Sequence, residues 1–512
     1  MAPKSMVSVV FTTTLRRRAL LVTSTLVLAI ATGSAAGAPD GVVVPVPSTP
    51  TTAPAFVGTP ATAKPVRGIP RTPHNPHLAT NGDSSIHNDG WQTDTYRRRG
   101  PLGVHPQTFS ASINGVCGSI TYDSRGRIVS TCVGVQRALN LIDPDTLDVI
   151  ATYPLPGPPP GSQLNNNIFK NFGGGAYFFL NDRDQAVIGT YDGHFQVIQV
   201  EDESLELVRD YDLSRKLRDG EVLNSGLPGT DGRLWFVTKK NGAVGTLDLK
   251  TGKSRVIRLG RGAVGQIENS IAVGSHGEAY IATNRKLYRF RHNSHGKPKV
   301  VWEATYDNSG VVKPGQVDDG TGTTPTVLPG GFVAITDNAD PMQVVVYRTG
   351  AKVRARNRTV CEVPVFGKGA GSTENSLIGA GRALIVENNY GYDDPSSVAG
   401  GRTTVAGFAR VDIDEDGRGC HPVWTNRTLS SPTVVPKLSL GTGLVYAYSK
   451  PEGDPTDPWY WTAIDYRTGK VVWKILAGAG PALNNNYAGL SISPSGTVYL
   501  GVIPGIVAMR DG

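Results

Sequence analysis

From about residue 105 the chain repeats one element eight times, and this repeat constrains the fold more than any other feature. The element is a short apolar run behind a turn: GRIVSTC (126–132), DQAVIGT (184–190), GRLWFVT (232–238), GEAYIAT (277–283), GGFVAIT (330–336), GRALIVE (381–387), TGLVYAY (442–448) and GTVYLGV (496–502). Such runs are expected of strands buried on both faces. Their spacing, roughly 40–60 residues, is that of propeller blades. A second run precedes each: GSITYD, GAYFFLN, SGLPGT, SIAVGS, TPTVLP, SLIGAG, PTVVPK and AGLSIS. A hairpin follows many, as in LNLIDPDTLDVIATY, GTLDLKTGKSRVI, ARVDIDEDGRGCHPVW and TAIDYRTGKVVWK, with Asp and Gly at the tips as turn chemistry requires. Each unit therefore reads as four antiparallel strands, A to D.

The eighth unit stops after three strands, at GIVAMRD (505–511). VHPQTFSASI (104–113) precedes the first unit and is expected to supply the missing strand, which removes an exposed edge. The predicted fold is all-β: an eight-bladed β-propeller over 105–512, with four-stranded antiparallel blades and the ring closed by pairing of N- and C-terminal strands.

The N-terminus carries a different signal. Lys4 and Arg16–Arg18, the apolar run ALLVTSTLVLAIA (19–31) and Ala36-Gly37-Ala38 read as a cleavable secretory leader over 1–38. About 13 apolar residues fall short of the ~20 that span a bilayer. The protein is thus expected to be secreted, with no membrane span. Residues 39–75, rich in Pro, Thr and Ala, read as a disordered or extended linker, and 76–104 as an extension packing on the propeller. The segment HNPHLATNGDSSIHNDGWQTDTY (74–96), which runs into that extension, has no zinc-ligand spacing and is expected either across one propeller face or around the rim.

Four of the 51 Lys and Arg lie in the leader; against 43 Asp and Glu, the rest of the chain carries +4. That balance gives no reason to invoke nucleic acid or an anionic membrane. The four cysteines are expected to pair as Cys117–Cys132 and Cys361–Cys420, with free buried thiols as the alternative.

In TAIDYRTGKVVWK, the residues Ala463, Asp465, Thr468, Gly469, Lys470 and Trp473 make the chain resemble the quinoprotein-type propellers of the pyrroloquinoline quinone (PQQ)-like repeat family. Asp248, Thr251, Gly252 and Lys253 repeat the turn without the Trp; Trp302 and Trp424 repeat the Trp without the turn. The resemblance implies an eight-bladed ring in which the Trp docks between neighbouring blades. Quinoprotein alcohol dehydrogenases also carry a vicinal disulfide, a Trp floor and a calcium held by Glu, Asn and Asp. No two cysteines are adjacent here, so the resemblance speaks for the fold and little for PQQ.

In a propeller, the loop before strand A and the loop after strand B share one face around the channel. Here those loops hold Asn167, Glu268-Asn269, Glu374-Asn375 and Asn486, then His194, Arg285, Asp337, Glu387-Asn388 and Tyr390. Amides, carboxylates and bases converging on one concavity suit a saccharide, another polar small molecule or Ca²⁺. Asn and Ser ahead of a strand also commonly satisfy backbone groups. Glu268 and Glu374 sit in a repeated E-N-S and are expected to face one channel, where two carboxylates repel unless a proton or cation is shared. Asp412, Asp414 and Asp416 match the start of a calcium loop that lacks its closing acid, and equally a plain hairpin turn.

The favoured reading is a secreted, monomeric propeller binding a polar ligand in its channel. The alternatives are an extracellular enzyme on the same face (a PQQ-type oxidoreductase, or a polysaccharide lyase using His194, Tyr191 or Tyr390 as acid/base with Glu268 and Glu374) and an envelope scaffold.

Overall fold

The computed structural model describes residues 43–113, 115–134, 136–158, 170 and 173–512. The leader over 1–38 and Asn167 lie outside the described residues. Eight sheets form the ring. The eight glycine-led or apolar runs are the B strands, from Ile128–Gly134 in blade 1 to Val498–Val502 in blade 8. Strands A run where expected, except that in blade 7 strand A is Lys437–Ser439, at the far end of PTVVPK.

The ring closes as the sequence predicts. Gln107–Ser112 pairs antiparallel with Gly505–Arg510, from Gln107 opposite Arg510 to Ser112 opposite Gly505, and so becomes the outer strand of blade 8. Large apolar side chains fill the spaces between blades, among them the fully buried Trp235, Trp459, Trp461 and Trp473.

Residues 43–75 differ from a disordered linker. They run extended along blades 8 and 7: Phe56–Gly58 adds a strand outside Val471–Ala479, and Val46, Thr49, Ala61, Lys64 and Val66 donate backbone hydrogen bonds to the ring or to the adjoining N-terminal segment. The segment has no hydrophobic period, yet an open sheet edge offers its backbone partners.

Residues 75–98 cross the channel end that carries the A–B turns. Carbonyls of Gly90, Trp91, Thr93 and Asp94 accept from strand A of blades 4, 5, 6 and 7 in succession, and Ser84 O accepts from Leu180 in blade 2. Asn75 and Asn81 reach blades 3 and 1 through Pro228 O and Tyr122 O. Beneath this plug, the fully buried Lys437 ammonium pairs with Asp94, whose carboxylate also meets His87 Nδ1 at 3.0 Å.

Both expected disulfides form. Cys117–Cys132 joins strands A and B of blade 1, and Cys361–Cys420 joins the outer strands of blades 5 and 6. They are consistent with a secreted or periplasmic protein. No helix among the described residues is long and apolar enough to cross a membrane.

Candidate functional site

The inner strands enclose a central cavity between the plug, represented by Ile86 and His87, and the loops of the opposite face. Blade 1 contributes an apolar wall through Val116 and Val133, and blade 7 adds Val435. The polar lining comes from Tyr177, Glu268, Asn269, Glu374, Asn375, Ser376 and Asn486. Glu268 and Glu374 thus share one cavity, from blades two apart.

Each E-N-S lies just ahead of strand A of its blade, Ala272–Val273 in blade 4 and Ile378–Ala380 in blade 6, and its serine joins neighbouring blades. Ser225 Oγ and Ser270 Oγ are 2.7 Å apart, the Ser270 amide donates to Thr324 Oγ1 at 3.1 Å, and the Thr324 amide donates to Ser376 Oγ at 3.0 Å. Asn375 is likewise committed, its amide donating to Val434 O at 2.8 Å and to Glu387 at 3.2 Å. Asn269 occupies the same place in blade 4, is 7% exposed and lines the cavity, but its side chain makes no hydrogen bond to a described residue. The Tyr177 hydroxyl is equally without one.

The carboxylates are unequally compensated. Lys239 Nζ lies 2.6 Å from Glu268 Oε2, and Gln266 also donates to Glu268. Burial lowers the Lys239 pKa, but the Glu268 charge outweighs it and the net shift is upward. Among the described residues, Glu374 accepts only the Val317 amide, at 2.8 Å. Burial first, then Asp318 and Glu268, push its carboxyl well above the usual range. Asp318 is the third acid of the cluster. Burial and the Glu268 charge raise it to about 7, and its buried Oδ2 has no hydrogen-bond partner among the described residues.

Sequence reasoning missed Asp318. Asp318 rides on the long loop between blades 4 and 5, which lies over the channel: Ser372 Oγ donates to Pro314 O at 2.5 Å and Tyr487 OH to Gly315 O at 3.2 Å. The length of VVKPGQVDDGTG ahead of a strand, with two adjacent acids, was the available signal.

The other candidates sit elsewhere. Arg285 binds Asp319 Oδ2 at 2.5 Å in the B–C turn of blade 4. Asp337 accepts the Gln343 amide at 2.7 Å and the Ala339 amide at 3.2 Å, shaping the blade 5 turn, and burial raises it to about 7. Glu387 accepts from Asn389 and Asn375 between blades 6 and 7, and burial raises its pKa well above the usual range. Asn388 ties loop backbones at Ser372, Tyr390 and Ala370. His194 Nδ1 meets Asp210 on the outer strand of blade 2 at 2.9 Å; burial pulls its pKa down, but Asp210, Asp192 and Asp212 raise it overall. Neither His194 nor Tyr390 lines the cavity.

Asp412, Asp414 and Asp416 form a C–D hairpin turn. Asp412 pairs with Arg410, Asp414 with His421 at 2.7 Å, and Asp416 accepts the Arg418 amide at 2.8 Å. Among the described residues, no three His, Cys, Asp or Glu side chains stand close enough to share a metal ion. The cavity lining does not fit PQQ either: it holds no Trp for a floor, and both disulfides bridge distant cysteines.

No family model matches the chain. An uncharacterized protein from Archaeoglobus fulgidus is 29% identical over 274 residues, 48% of this chain and 52% of that one, so the chain spans about half the length of the curated relative it matches. Among solved structures, the quinohemoprotein alcohol dehydrogenase from Comamonas testosteroni is similar with a TM-score of 0.52 at 11% identity, over 84% of this chain and 81% of that one. BamB from Moraxella catarrhalis gives a TM-score of 0.42 at 13% identity, over 83% and 98%, too low to carry an argument. The first similarity bears on the fold alone, the eight-bladed propeller that the eight sheets of this chain form.

Proposed function

We propose that the protein is a binding propeller that takes a small hydroxylated ligand, of the saccharide class, in its central cavity. The observation that carries this reading is the unspent hydrogen-bonding capacity there. The Asn269 amide and the Tyr177 hydroxyl have no partner among the described residues, while the polar groups around them are committed. Asp318 and Glu374 retain protons toward neutral pH, so each can donate as well as accept, and Lys239 offsets Glu268. A lining with many donors and acceptors, little net charge and one apolar wall suits the mixed faces of a sugar better than an ion. The PQQ-like resemblance enters this reading only as a scaffold.

The test is calorimetric titration of the purified protein with a panel of neutral mono- and disaccharides. Binding should weaken by about tenfold or more in N269A and in Y177F, the usual scale for one or two lost hydrogen bonds in a closed site. E268Q with E374Q should weaken it further. Saccharide binding unchanged in all three variants would place the site outside the cavity, and no binding across the panel would refute the reading.

A further inference from the structure

A second charged feature lies on the outer rim, apart from the cavity. The C–D hairpin of blade 5 has the sequence RTGAKVRARNR (348–358), and the matching hairpin of blade 6 brings Arg418 beside it. Arg348, Lys352, Arg354, Arg356 and Arg418 line one shallow concavity. No carboxylate lies within ion-pair distance of these five among the described residues. The acids of the blade 6 hairpin are largely committed: Asp412 to Arg410, Asp414 to His421, and Asp416 to the Arg418 backbone.

The loop is held in one shape. The buried Arg358 guanidinium stacks over Trp302 at 4.5 Å and donates to the carbonyls of Arg348, Gly350 and Val353, each at 2.7 Å. Trp302 Nε1 and Arg289 both donate to Thr349 O. Arg348 bridges to blade 6 through Gly417 O at 2.7 Å. Cys361–Cys420 fastens the outer strands of the two blades, two residues from Arg418. Lys352, Arg354, Arg356 and Arg418 therefore point outward, exposed, from a braced backbone that spans two blades. Uncompensated like charges repel, and bracing them together raises that cost; a multivalent anion relieves it without ordering the loop anew.

We propose that this rim between blades 5 and 6 is a docking surface for an anionic polysaccharide bearing sulfate or carboxylate groups. Four of the five cations are Arg, whose planar fork pairs in bidentate fashion with such groups. The concavity is lined by no aromatic side chain on which the bases of a single-stranded nucleic acid would stack. The adjacent disulfide fits an oxidising compartment, where such glycans are met.

Heparin and polygalacturonate serve as probes, with duplex DNA of similar charge as competitor, on the full chain. Affinity for heparin should fall steeply with NaCl. K352Q/R354Q/R356Q should weaken binding about tenfold or more at ~0.1 M NaCl and make the log–log salt slope shallower by about three. Its thermal midpoint should not fall, because none of the three side chains has a hydrogen-bond partner among the described residues and their removal relieves repulsion. K250Q/K253Q, at the corresponding hairpin of blade 3, should bind as the parent does. The proposal is overturned by absent heparin and polygalacturonate binding, by a parental slope in the triple variant, by equal loss in the blade 3 control, or by duplex DNA displacing both glycans.

Discussion

Lys239 Nζ and Glu268 Oε2 lie 2.6 Å apart, with both side chains at least nine-tenths buried, and the carboxyls of Asp318 and Glu374 stand close enough to feel the Glu268 charge. Removing the ammonium leaves Glu268 as an uncompensated buried charge beside two other acids. K239M is therefore expected to cost about 3–5 kcal/mol at pH 8. Urea unfolding at pH 8 checks this; a loss below about 1 kcal/mol would mean that water, not Lys239, compensates Glu268.

The buried acids also set the pH profile. Burial raises Asp318 and Asp337 to about 7, with Glu268 adding to the shift at Asp318, and burial raises Asp83 to about 6 against the opposing Arg98. Unfolded, these groups ionise near 3.8. Between about pH 4 and 7 the folded protein thus holds more protons, and stability falls as pH rises, by at most about 1.4 kcal/mol per pH unit for each group. His292, raised chiefly by its bond to Asp231, acts in the same direction as pH rises through its folded value. Carboxyls held low, such as Glu221, where burial is outweighed by Arg258, lose their contribution only below about 4.5. The thermal midpoint should be higher at pH 5 than at pH 8, and D318N should narrow the difference. A flat profile would contradict the raised values.

Trp424, on the outer strand of blade 6, donates through Nε1 to Tyr466 O of blade 7 at 3.0 Å and lies over Gly469, whose φ is +70°. Any Cβ at 469 meets that ring and also adopts a left-handed backbone. G469A is expected to cost about 2–3 kcal/mol, combining overpacking with backbone strain. G262A has a similar φ of +61° and open space around it, so it should cost only about 1 kcal/mol. Equal costs in denaturant unfolding would show that the indole yields.

Asp94 and the fully buried Lys437 fasten the plug to blade 7. D94N strands the ammonium and should cost about 3–5 kcal/mol, whereas D94N with K437M should recover much of that. A double-mutant cycle should give a coupling of about 2–3 kcal/mol. Additive losses would mean that the plug is held by its backbone ladder alone.

Trp473 shows where local reading stops. As the Trp of TAIDYRTGKVVWK it is expected to dock on the next blade, as Trp302 does at Thr349 and Trp424 at Tyr466. Instead it packs against Gly103, and its indole N–H has no partner among the described residues. Its next blade is number eight, whose C–D corner is divided between the two ends of the chain, so the N-terminal segment fills the place of a hairpin turn.

Strand runs, their spacing, the eightfold count and the closing strand all follow from the sequence, because each depends on residues close in the chain or on an unpaired edge that must be covered. The E-N-S repeats likewise point to Glu268 and Glu374. Only the tertiary structure decides that Asn375 is spent on the next blade while the Asn269 side chain has no hydrogen-bond partner among the described residues, that Asp318 arrives on a distant loop near Glu268 and Glu374, that residues 43–98 line and plug the ring, and that two hairpins merge into one basic rim. The reason is physical: a side chain's hydrogen-bond partners and its electrostatic neighbours belong to whichever segments ring closure brings beside it, and no local pattern carries that information.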